Sequence, residues 1–434
     1  MLLFTIKLER RENALNLEHT SISNLLLLPK SFDITSHVDT TQRILKRHKV
    51  FSELYKLEES IQPVLASMEE TGLVVAEEWF GSGLENKRTK LQEVIEEINQ
   101  YIGEPKNNQI DKKILDSYWN KNGLLPANSF EELSRYRELH PTYSLMLKYK
   151  KHESYIKQWG TKIKHQEIEL DDGVLIKGQI QSFSSYTGRI TARNLPLTSI
   201  PTAMHDYMLA PRGFRLVSLD LNNAELRFLA YYGRCDSLIS KFNAGKDIHH
   251  ETAELIQKRI NNHVVDDRQA RELAKRYTYS FLYGAGLQTI TKNLQKVYKE
   301  VTSADVVSIN ESFTRKYPEV QRFLAERETS ESLQSSFGEV KPVATFHRTQ
   351  RRNFTLQSSV SVAIKMLMTI LARRNIEIVH VLHDEVWILV PEESNIDKLI
   401  EKPLGEFEGK IINTFRGFPC KGLLTIEKIG GKIQ

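Results

Sequence analysis

The sequence has few cysteines, no long apolar run and no stretch with the pattern of a signal peptide. Its two cysteines, Cys235 and Cys420, among 434 residues exclude a disulfide framework and fit a reducing cytoplasm. The leucine run at 25–28 is far too short to cross a membrane. The N-terminal stretch is apolar for only a few residues, then charged, and it lacks a small-residue cleavage site. We therefore expect a cytoplasmic protein without membrane contact.

The chain also lacks a strong excess of charge of either sign. Lysine and arginine number 60 against 55 aspartates and glutamates, which gives a formal net charge of +5 at pH 7. This balance permits a nucleic-acid partner without requiring one, because attraction depends on where the charges cluster. Hydrophobic residues make up 40% of the chain, enough for a core in two or three domains or one multi-lobed domain.

The spacing of apolar residues divides the chain into helical and strand-forming parts, without internal repeats. Helical spacing is clear from Leu54 to Ala66, over 84–102 and from Pro141 to Trp159. The further predicted elements are strands at 173–183 and 214–221, a mostly helical region at 222–335, a helix at 353–373 and a strand pair at 376–390. This order predicts an α+β fold with a central sheet and two helical lobes.

Three stretches place charged side chains beside apolar ones. In the first, the predicted strand Phe214–Leu219 ends at Asp220, and Glu225 follows at the start of an apolar helical stretch. An aspartate at the end of a buried strand is well placed to hold a metal ion, because the cation offsets its charge. On this stretch alone, a helix N-cap is the simpler interpretation of Asp220.

The second stretch, 271–284, carries two cations and then two aromatic rings. Arg271, Lys275, Tyr279 and Tyr283 are spaced by four and would lie along one face of a helix. Arginine and lysine bind phosphate oxygens, and a tyrosine ring offers a stacking plane, so this face suits a nucleoside triphosphate. Taken alone, a solvated basic face that runs into core aromatics is the simpler interpretation.

The third stretch, “EIVHVLHDEVWILV” at 377–390, interrupts two apolar strands with His383, Asp384 and Glu385. Burial of an unpaired charge is costly, so we expect these residues at the turn of a hairpin whose strands are buried. Taken alone, an ordinary polar turn is the simpler interpretation.

Together the three stretches supply what nucleotidyl transfer needs. Asp220 and Asp384 could clamp two Mg²⁺ ions, or Mn²⁺ in their place, roughly 3.5–4 Å apart. One ion would activate the attacking hydroxyl, and the other would stabilise the leaving pyrophosphate. Arg271 and Lys275 would neutralise the triphosphate.

These stretches resemble three motifs of the family A DNA polymerases, the bacterial DNA polymerase I group. “DLNNAELR” (220–227) is similar to motif A, D-Y-S-Q-I-E-L-R, and “RELAKRYTYSFLYG” (271–284) is similar to motif B, R-x3-K-x7-Y-G. “VLHDE” (381–385) is similar to motif C, Q-V-H-D-E. The motifs occur in the family's order, and the resemblance extends from about residue 55 to the C-terminus, with weaker matches at 185–201 and 244–253.

The resemblance implies catalytic roles for four residues. Asp220 and Asp384 would be the metal ligands, with Glu385 beside them as an accessory acid. Lys275 would contact the incoming triphosphate and protonate the pyrophosphate. The substrates implied are primer–template DNA and dNTPs, and we expect a monomer in the bacterial cytoplasm or in a phage-infected cell.

The resemblance also implies which residues bind nucleotide and DNA. Arg271 and His249 would contact the triphosphate, and Glu225 would block a ribose 2′-OH. Tyr283 would stack near the nascent base pair and support Glu225, while Tyr279 would face the sugar. The residues that would contact DNA are Arg189, Asn353, Gln357 and His383. Two alternatives stay open: Gln357 could be an ordinary exposed helix residue, and His383 could merely fill its turn.

The family fold is a right hand with an antiparallel-sheet palm and helical fingers and thumb. Residues 1–55 would be an N-terminal extension, and residues 1–50 are a candidate contact for a replication or repair partner. The expected divisions after it are 56–175 for the thumb and its lead-in, 176–235 for the first part of the palm, 236–339 for the fingers and 340–434 for the second part of the palm.

The sequence departs from the family pattern in two informative ways. It contains no Asp-x-Glu, the pattern that begins the acidic cluster of the family's 3′–5′ exonuclease, so we predict no proofreading. Tyr279 stands where many members have phenylalanine, and the resemblance then implies ready incorporation of dideoxynucleotides.

Two alternative functions stay open. A single-subunit RNA polymerase shares the K-x7-Y-G helix, but Glu225 argues against it because a carboxylate there would exclude the 2′-OH. Glu385 after Asp384 argues against it too, because those enzymes resemble H-D-S at that place. A catalytically inactive nucleic-acid-binding replication factor would not need Asp220, Lys275 and Asp384.

Overall fold

The structure is a computed structural model that describes residues 49–104, 108–164, 168–170, 173–182, 184–260, 266–336, 340–342 and 346–430. These residues form two units. The first unit comprises 49–68, 180–191 and 217–428, and the second comprises 69–179, 192–216 and 429–430. The extension predicted for residues 1–55 lies mostly outside the described residues.

Helices account for most of the described elements. In chain order they are α1 (Lys49–Thr71), α2 (Ser82–Ile102), α3 (Lys112–Lys121), α4 (Phe130–Tyr136), α5 (Pro141–Ile156), α6 (Lys162–Lys164), α7 (Thr202–His205), α8 (Ala224–Gly233), α9 (Asp236–Asn243), α10 (Ile248–Gln257), α11 (Asp267–Leu282), α12 (Leu287–Gln295), α13 (Ser303–Lys316), α14 (Pro318–Thr329), α15 (Arg348–Arg373) and α16 (Ile396–Thr414). The strands are β1 (Leu73–Val75), β2 (Ile168–Leu170), β3 (Gly173–Ile176), β4 (Gln179–Gln181), β5 (Thr191–Arg193), β6 (Met208–Leu209), β7 (Phe214–Leu221), β8 (Ser332–Gln334), β9 (Val340–Pro342), β10 (Ile378–Leu382), β11 (Glu385–Pro391) and β12 (Leu424–Ile429).

The central sheet of the first unit has the strand order β10–β11–β7–β12. β10 and β11 form an antiparallel hairpin in which Leu382 pairs with Glu385. Every residue of β10 is buried, and so is the run Val386–Val390 of β11. Valine, isoleucine and leucine suit such buried strand positions. The hairpin predicted for 376–390 is confirmed, and its buried strands form a rigid base for the residues at its turn.

Helix α15 packs against this sheet and against α8, α14 and α16. By length and composition it is the one helix of the described chain that could cross a membrane, but 89% of its most apolar window is buried inside the protein. A helix that is apolar on nearly all sides is expected in a core. It begins at Arg348, five residues before the predicted start, because His347 and Gln350 form a capping box there.

The second unit has its own sheet and its own core. The strand order of that sheet is β2–β3–β1–β6, and all its pairs are antiparallel. Helices α2 and α5 pack together, and the rings of Trp119 and Tyr143 stack at 5.0 Å in the core beside them. The Trp119 indole N–H donates to the Thr142 hydroxyl at 2.7 Å, so this buried polar group is paired.

The prediction of an α+β fold is confirmed by the antiparallel sheets and the predominance of helices. The helix predicted for 141–159 is α-helical only to Ile156, and a π-helical turn, Lys157–Thr161, follows it directly. The predicted bounds of palm, fingers and thumb stay predictions.

Candidate active site

Three carboxylates lie at one end of the central sheet of the first unit. Asp220 lies within β7, Asp384 lies in the hairpin turn, and Glu385 is the first residue of β11. The backbone N–H of Leu221 donates to the carbonyl of Asp384 at 3.0 Å, so the hairpin turn lies beside the end of β7 that carries Asp220. The N-cap of α8 is Asn223, and the interpretation of Asp220 as an N-cap is therefore wrong.

The hairpin turn consists of only His383 and Asp384. His383 is exposed and has a φ of +53°, whereas Asp384 does not have a positive φ. A positive φ in a two-residue hairpin turn is usually supplied by glycine, asparagine or aspartate. A non-glycine residue there is uncommon and costs conformational free energy. The turn geometry explains how a buried hairpin can present Asp384 at its tip.

The pKa values of all three carboxylic acids are raised, and Asp384 contributes to the rise at both Asp220 and Glu385. Burial, followed by repulsion from Asp384, Glu385 and the exposed Glu427, raises the pKa of Asp220 to about 7. Burial also raises the pKa values of Asp384 and Glu385. The hydroxyl of Ser218 donates to Glu385 Oε2 at 2.6 Å, which fixes that carboxylate at the side of the cluster. A cluster of this kind favours a bound cation, because the cation would offset the repulsion.

The donor set fits Mg²⁺. Carboxylate oxygens are its preferred protein ligands, and Mg²⁺ is commonly held by one or two carboxylates plus water and substrate phosphates. Within the described ranges, no group of three or more histidine, cysteine or acidic side chains is placed to hold an ion alone. Asp220 and Asp384 would therefore share the ion with substrate and water.

The Glu225 carboxylate is held between two other side chains of the first unit. Its Oε1 accepts from Arg189 Nη2 at 2.8 Å, and its Oε2 accepts from the Tyr283 hydroxyl at 2.5 Å. Glu225 is only 6% exposed, and burial raises its pKa despite these two contacts. Both carboxylate oxygens are thus fixed, which gives the side chain one defined orientation.

Helix α11 carries three of the predicted nucleotide-binding residues, Arg271, Lys275 and Tyr279, and Tyr283 is its C-cap. Arg271 and Lys275 are exposed, and the rings of Tyr279 and Tyr283 stack at a centroid distance of 6.4 Å. Arg271 Nε donates to Asp247 Oδ2 at 2.8 Å. Because Tyr283 also contacts Glu225, the aromatic end of α11 belongs to the same site as the acids.

His249 is buried beside this helix. It is 3% exposed, its Nε2 lies 2.9 Å from Asn223 Oδ1, and its ring centroid lies 6.0 Å from that of Tyr279. Burial lowers the pKa of His249 to about 4, so the ring is neutral at pH 7. Its Nδ1 has no hydrogen-bond partner within the described residues. Asn223 reaches His249 from a left-handed backbone conformation with a φ of +53°.

The family model of DNA polymerase family A matches residues 82–406, three quarters of the chain. The chain belongs to DNA polymerase family A. The sequence resemblance is thus confirmed at the level of the family. Membership of this family implies the use of a divalent metal in general, and it agrees with the carboxylate cluster of the first unit.

Two curated relatives of this family A chain are bacterial enzymes. It is 25% identical over 404 residues to the thermostable DNA polymerase I of Thermus filiformis. The aligned region covers 82% of this chain and 47% of that protein. It is 24% identical over 281 residues to DNA polymerase I of Helicobacter pylori, and this aligned region covers 62% of this chain and 30% of that protein. The chain thus matches less than half the length of these relatives.

A solved structure shares the fold of this family A chain. The POL domain of Pol1 from M. smegmatis, solved in complex with a DNA primer-template and dNTP, matches with a TM-score of 0.69 and 16% sequence identity. The match covers 91% of this chain and 73% of that one.

The residues predicted to contact DNA differ in accessibility. The Arg189 side chain is 28% exposed, His383 is exposed, and Gln357 is half-buried and accepts from Tyr186 at 3.3 Å. Asn353 is only 2% exposed, and its Oδ1 has no partner among the residues that the structure describes. The roles of these residues in DNA binding stay predictions.

Sequence reasoning missed several residues that support the site. Ser218 orients Glu385, Asp247 pairs with Arg271, and Lys365 forms a buried ion pair with Glu58. One signal was available: Lys365 is the lone charged residue in the apolar run 360–371. A lysine in such a run predicts a buried partner.

Proposed function

We propose that the chain is a template-directed DNA polymerase that adds dNTPs to a primer 3′-OH by two-metal nucleotidyl transfer. One observation carries the proposal. Asp220 near the end of β7 and Asp384 in the adjoining hairpin turn lie at one end of the central sheet, in the unit that also contains α11 and its cations. Family membership supports the same reaction class.

Asp220 and Asp384 would hold two Mg²⁺ ions, with Glu385 as an accessory acid. When bound, such ions activate the attacking hydroxyl and stabilise charge on the transferred phosphoryl group and pyrophosphate. The raised pKa values of the acids support this role, because a cation would keep all of them ionised at neutral pH.

The exposed cations of α11 would bind the triphosphate. Lys275 would neutralise phosphate oxygens and donate a proton to the leaving pyrophosphate, and Arg271 would exchange its contact with Asp247 for one with phosphate. The neutral, buried His249 would support this end of the site and would reach the triphosphate only after a rearrangement.

Glu225 would discriminate between deoxyribose and ribose. Its carboxylate is fixed by Arg189 and Tyr283, so it would present a rigid obstacle to a ribose 2′-OH. The Tyr279 ring would lie beside the sugar. Arg189, Gln357, Asn353 and His383 would contact the primer–template.

Partners and setting are proposed on the same basis. The POL domain of Pol1 from M. smegmatis was solved with a DNA primer-template and dNTP, which supports the same substrates here. The two curated relatives of this chain named above are bacterial, which supports a cytoplasmic setting. We propose a monomer, and we keep residues 1–50 as the candidate contact for a replication or repair partner.

Primer extension on a primer–template tests the proposal. With Mg²⁺ and dNTPs we expect templated extension, and with rNTPs or without a divalent metal we expect little or none. Preferred use of rNTPs would favour the single-subunit RNA polymerase alternative. Binding of the duplex without extension under any condition would favour the inactive replication factor.

Proofreading is proposed to be absent from this 434-residue chain, which contains no Asp-x-Glu. We expect a mismatched primer terminus to remain intact in the absence of dNTPs. Degradation of that terminus by both the wild type and an Asp384→Ala variant would contradict this expectation.

A further inference from the structure

The carbonyl of Gly188 accepts two side-chain hydrogen bonds from α15. Lys365 Nζ donates to it at 2.7 Å, and Ser361 Oγ donates to it at 2.7 Å. Gly188 has a φ of +76°, a backbone conformation that favours glycine, and it directly precedes Arg189. Arg189, which contacts Glu225, therefore directly follows a carbonyl that two hydrogen bonds fix in place.

The Lys365 ammonium is among the most buried charges of the first unit. Its side chain is 2% exposed and pairs with Glu58, which is 1% exposed and also accepts from the Ser182 hydroxyl. A buried ion pair adds little to stability, because desolvation offsets much of the attraction. Retention of a charged donor at this place is better explained by what it holds, the Gly188 carbonyl.

The orientation of Arg189 depends on this anchor. Arg189 makes one contact with Glu225 through Nη2, whereas its Nε has no partner within the described residues. The guanidinium thus makes one hydrogen bond with Glu225 and interacts electrostatically with Asp384, and the position of its backbone sets how well it can reach them. A shift of the Gly188–Arg189 peptide would therefore move one of the two groups that fix Glu225.

We infer that Lys365 and Ser361 are positioning residues that set sugar discrimination through Gly188, Arg189 and Glu225. The inference rests on the proposed polymerase function and deepens it. Neither side chain would touch the nucleotide. Substitution of either one would therefore change the selection between dNTP and rNTP and leave the catalytic groups in place.

Ser361→Ala tests this inference most cleanly, because it removes one donor and little volume. We expect kcat/KM for a dNTP relative to that for the matching rNTP to fall about fivefold. Ser361→Thr, which keeps the hydroxyl, is expected to retain the wild-type ratio. The matched control is Ser358→Ala, on the same helix and similarly buried, whose hydroxyl donates to the carbonyl of Thr355 at 3.1 Å.

A double variant tests the role of Lys365. Glu58→Gln combined with Lys365→Met removes both charges together, so no unpaired charge stays buried. We expect the same loss of discrimination, with a fold confirmed by circular dichroism. An unchanged ratio in both Ser361→Ala and the folded double variant, with an active wild type, would overturn the inference alone. A wild type that extends no primer would instead refute the proposed function, and the inference with it.

Discussion

Asp220 is a residue whose charge opposes folding. Its pKa is raised to about 7, first by burial and then by Asp384, Glu385 and Glu427. The unfolded carboxylate ionises near its ordinary value of 3.8, so folding loses free energy as the pH rises from about 4 to about 7. A cation-binding site is expected to destabilise the metal-free protein in this way, because its ionised ligands repel one another when no cation is bound.

Asp220→Asn is therefore expected to raise stability while it removes activity. At pH 8 without metal, we expect the free energy of unfolding to rise by roughly 1–3 kcal/mol. Thermal melts with and without Mg²⁺ check this: Mg²⁺ should raise the melting temperature of the wild type and leave that of the variant unchanged. A less stable variant that Mg²⁺ still stabilises would contradict the assignment of Asp220 as a ligand.

His249 gives a pH-dependent prediction. Its folded pKa of about 4 lies below the ordinary value of 6.5, so the unfolded state alone binds the proton between these values. Wild-type stability should thus fall as the pH is lowered from 6.5 to about 4, by up to about 3 kcal/mol from this residue. His249→Gln should lose that part of the pH dependence in urea unfolding. The exposed neighbour in His250→Gln is the control, and parallel curves for His249→Gln and the wild type would argue against a neutral buried ring.

Tyr279 gives a prediction about substrate choice. Its ring is half-buried, with its centroid 6.0 Å from that of His249. The resemblance to motif B implies that the Tyr279 hydroxyl takes the place of a missing 3′-OH. We expect Tyr279→Phe to lower the use of dideoxynucleotides relative to dNTPs roughly tenfold. Equal termination by both forms in a competition assay would count against this role.

At the scale of elements, the end of α11 is fixed by an arginine of α15. Arg352 donates to the carbonyls of Phe281 and Leu282 at 2.6 and 3.2 Å, and pairs with Glu328 at 2.6 Å. A cation at a helix C-terminus satisfies carbonyls that lack partners within the helix. Gly284 follows with a φ of +70°, and a Cβ there would meet Arg352 Cδ at 2.7 Å.

Gly284→Ala is expected to destabilise the protein by about 1–3 kcal/mol, through backbone strain and through displacement of Arg352. Chemical unfolding measures this change. Gly405→Ala is the matched control, because a Cβ there meets nothing within 4 Å in the exposed part of α16. It should raise stability by roughly 0.5–1 kcal/mol. Similar effects of the two substitutions would show that the Arg352 contact is unimportant.

Local patterns predicted the elements better than their partners. The apolar runs on both sides of His383 and Asp384 predict the hairpin, and the spacing of Arg271 and Tyr279 predicts α11. The pairing of Glu58 with Lys365 joins residues 307 positions apart, and no local pattern specifies which acid meets that lysine. The positive φ of His383 could not be predicted either, because the strand pairing imposes it.

At the scale of the whole molecule, the candidate site lies entirely in the first unit. Acids from β7 and the β10–β11 hairpin, Arg189 and the residues of α11 all belong to it. Family membership is shown for residues 82–406, and the chain matches less than half the length of its curated relatives. Primer extension by the isolated 434-residue chain would therefore show whether this chain alone is sufficient for polymerase activity.

Single-turnover primer extension by Asp384→Asn and Glu385→Gln tests the central claim most directly. Both changes keep side-chain volume, so a difference between them reflects the role of charge. With folded proteins and saturating Mg²⁺, we predict that Asp384→Asn lowers the extension rate at least about a thousandfold and Glu385→Gln only about tenfold. Wild-type extension by Asp384→Asn would contradict the assignment of this sheet as the catalytic centre.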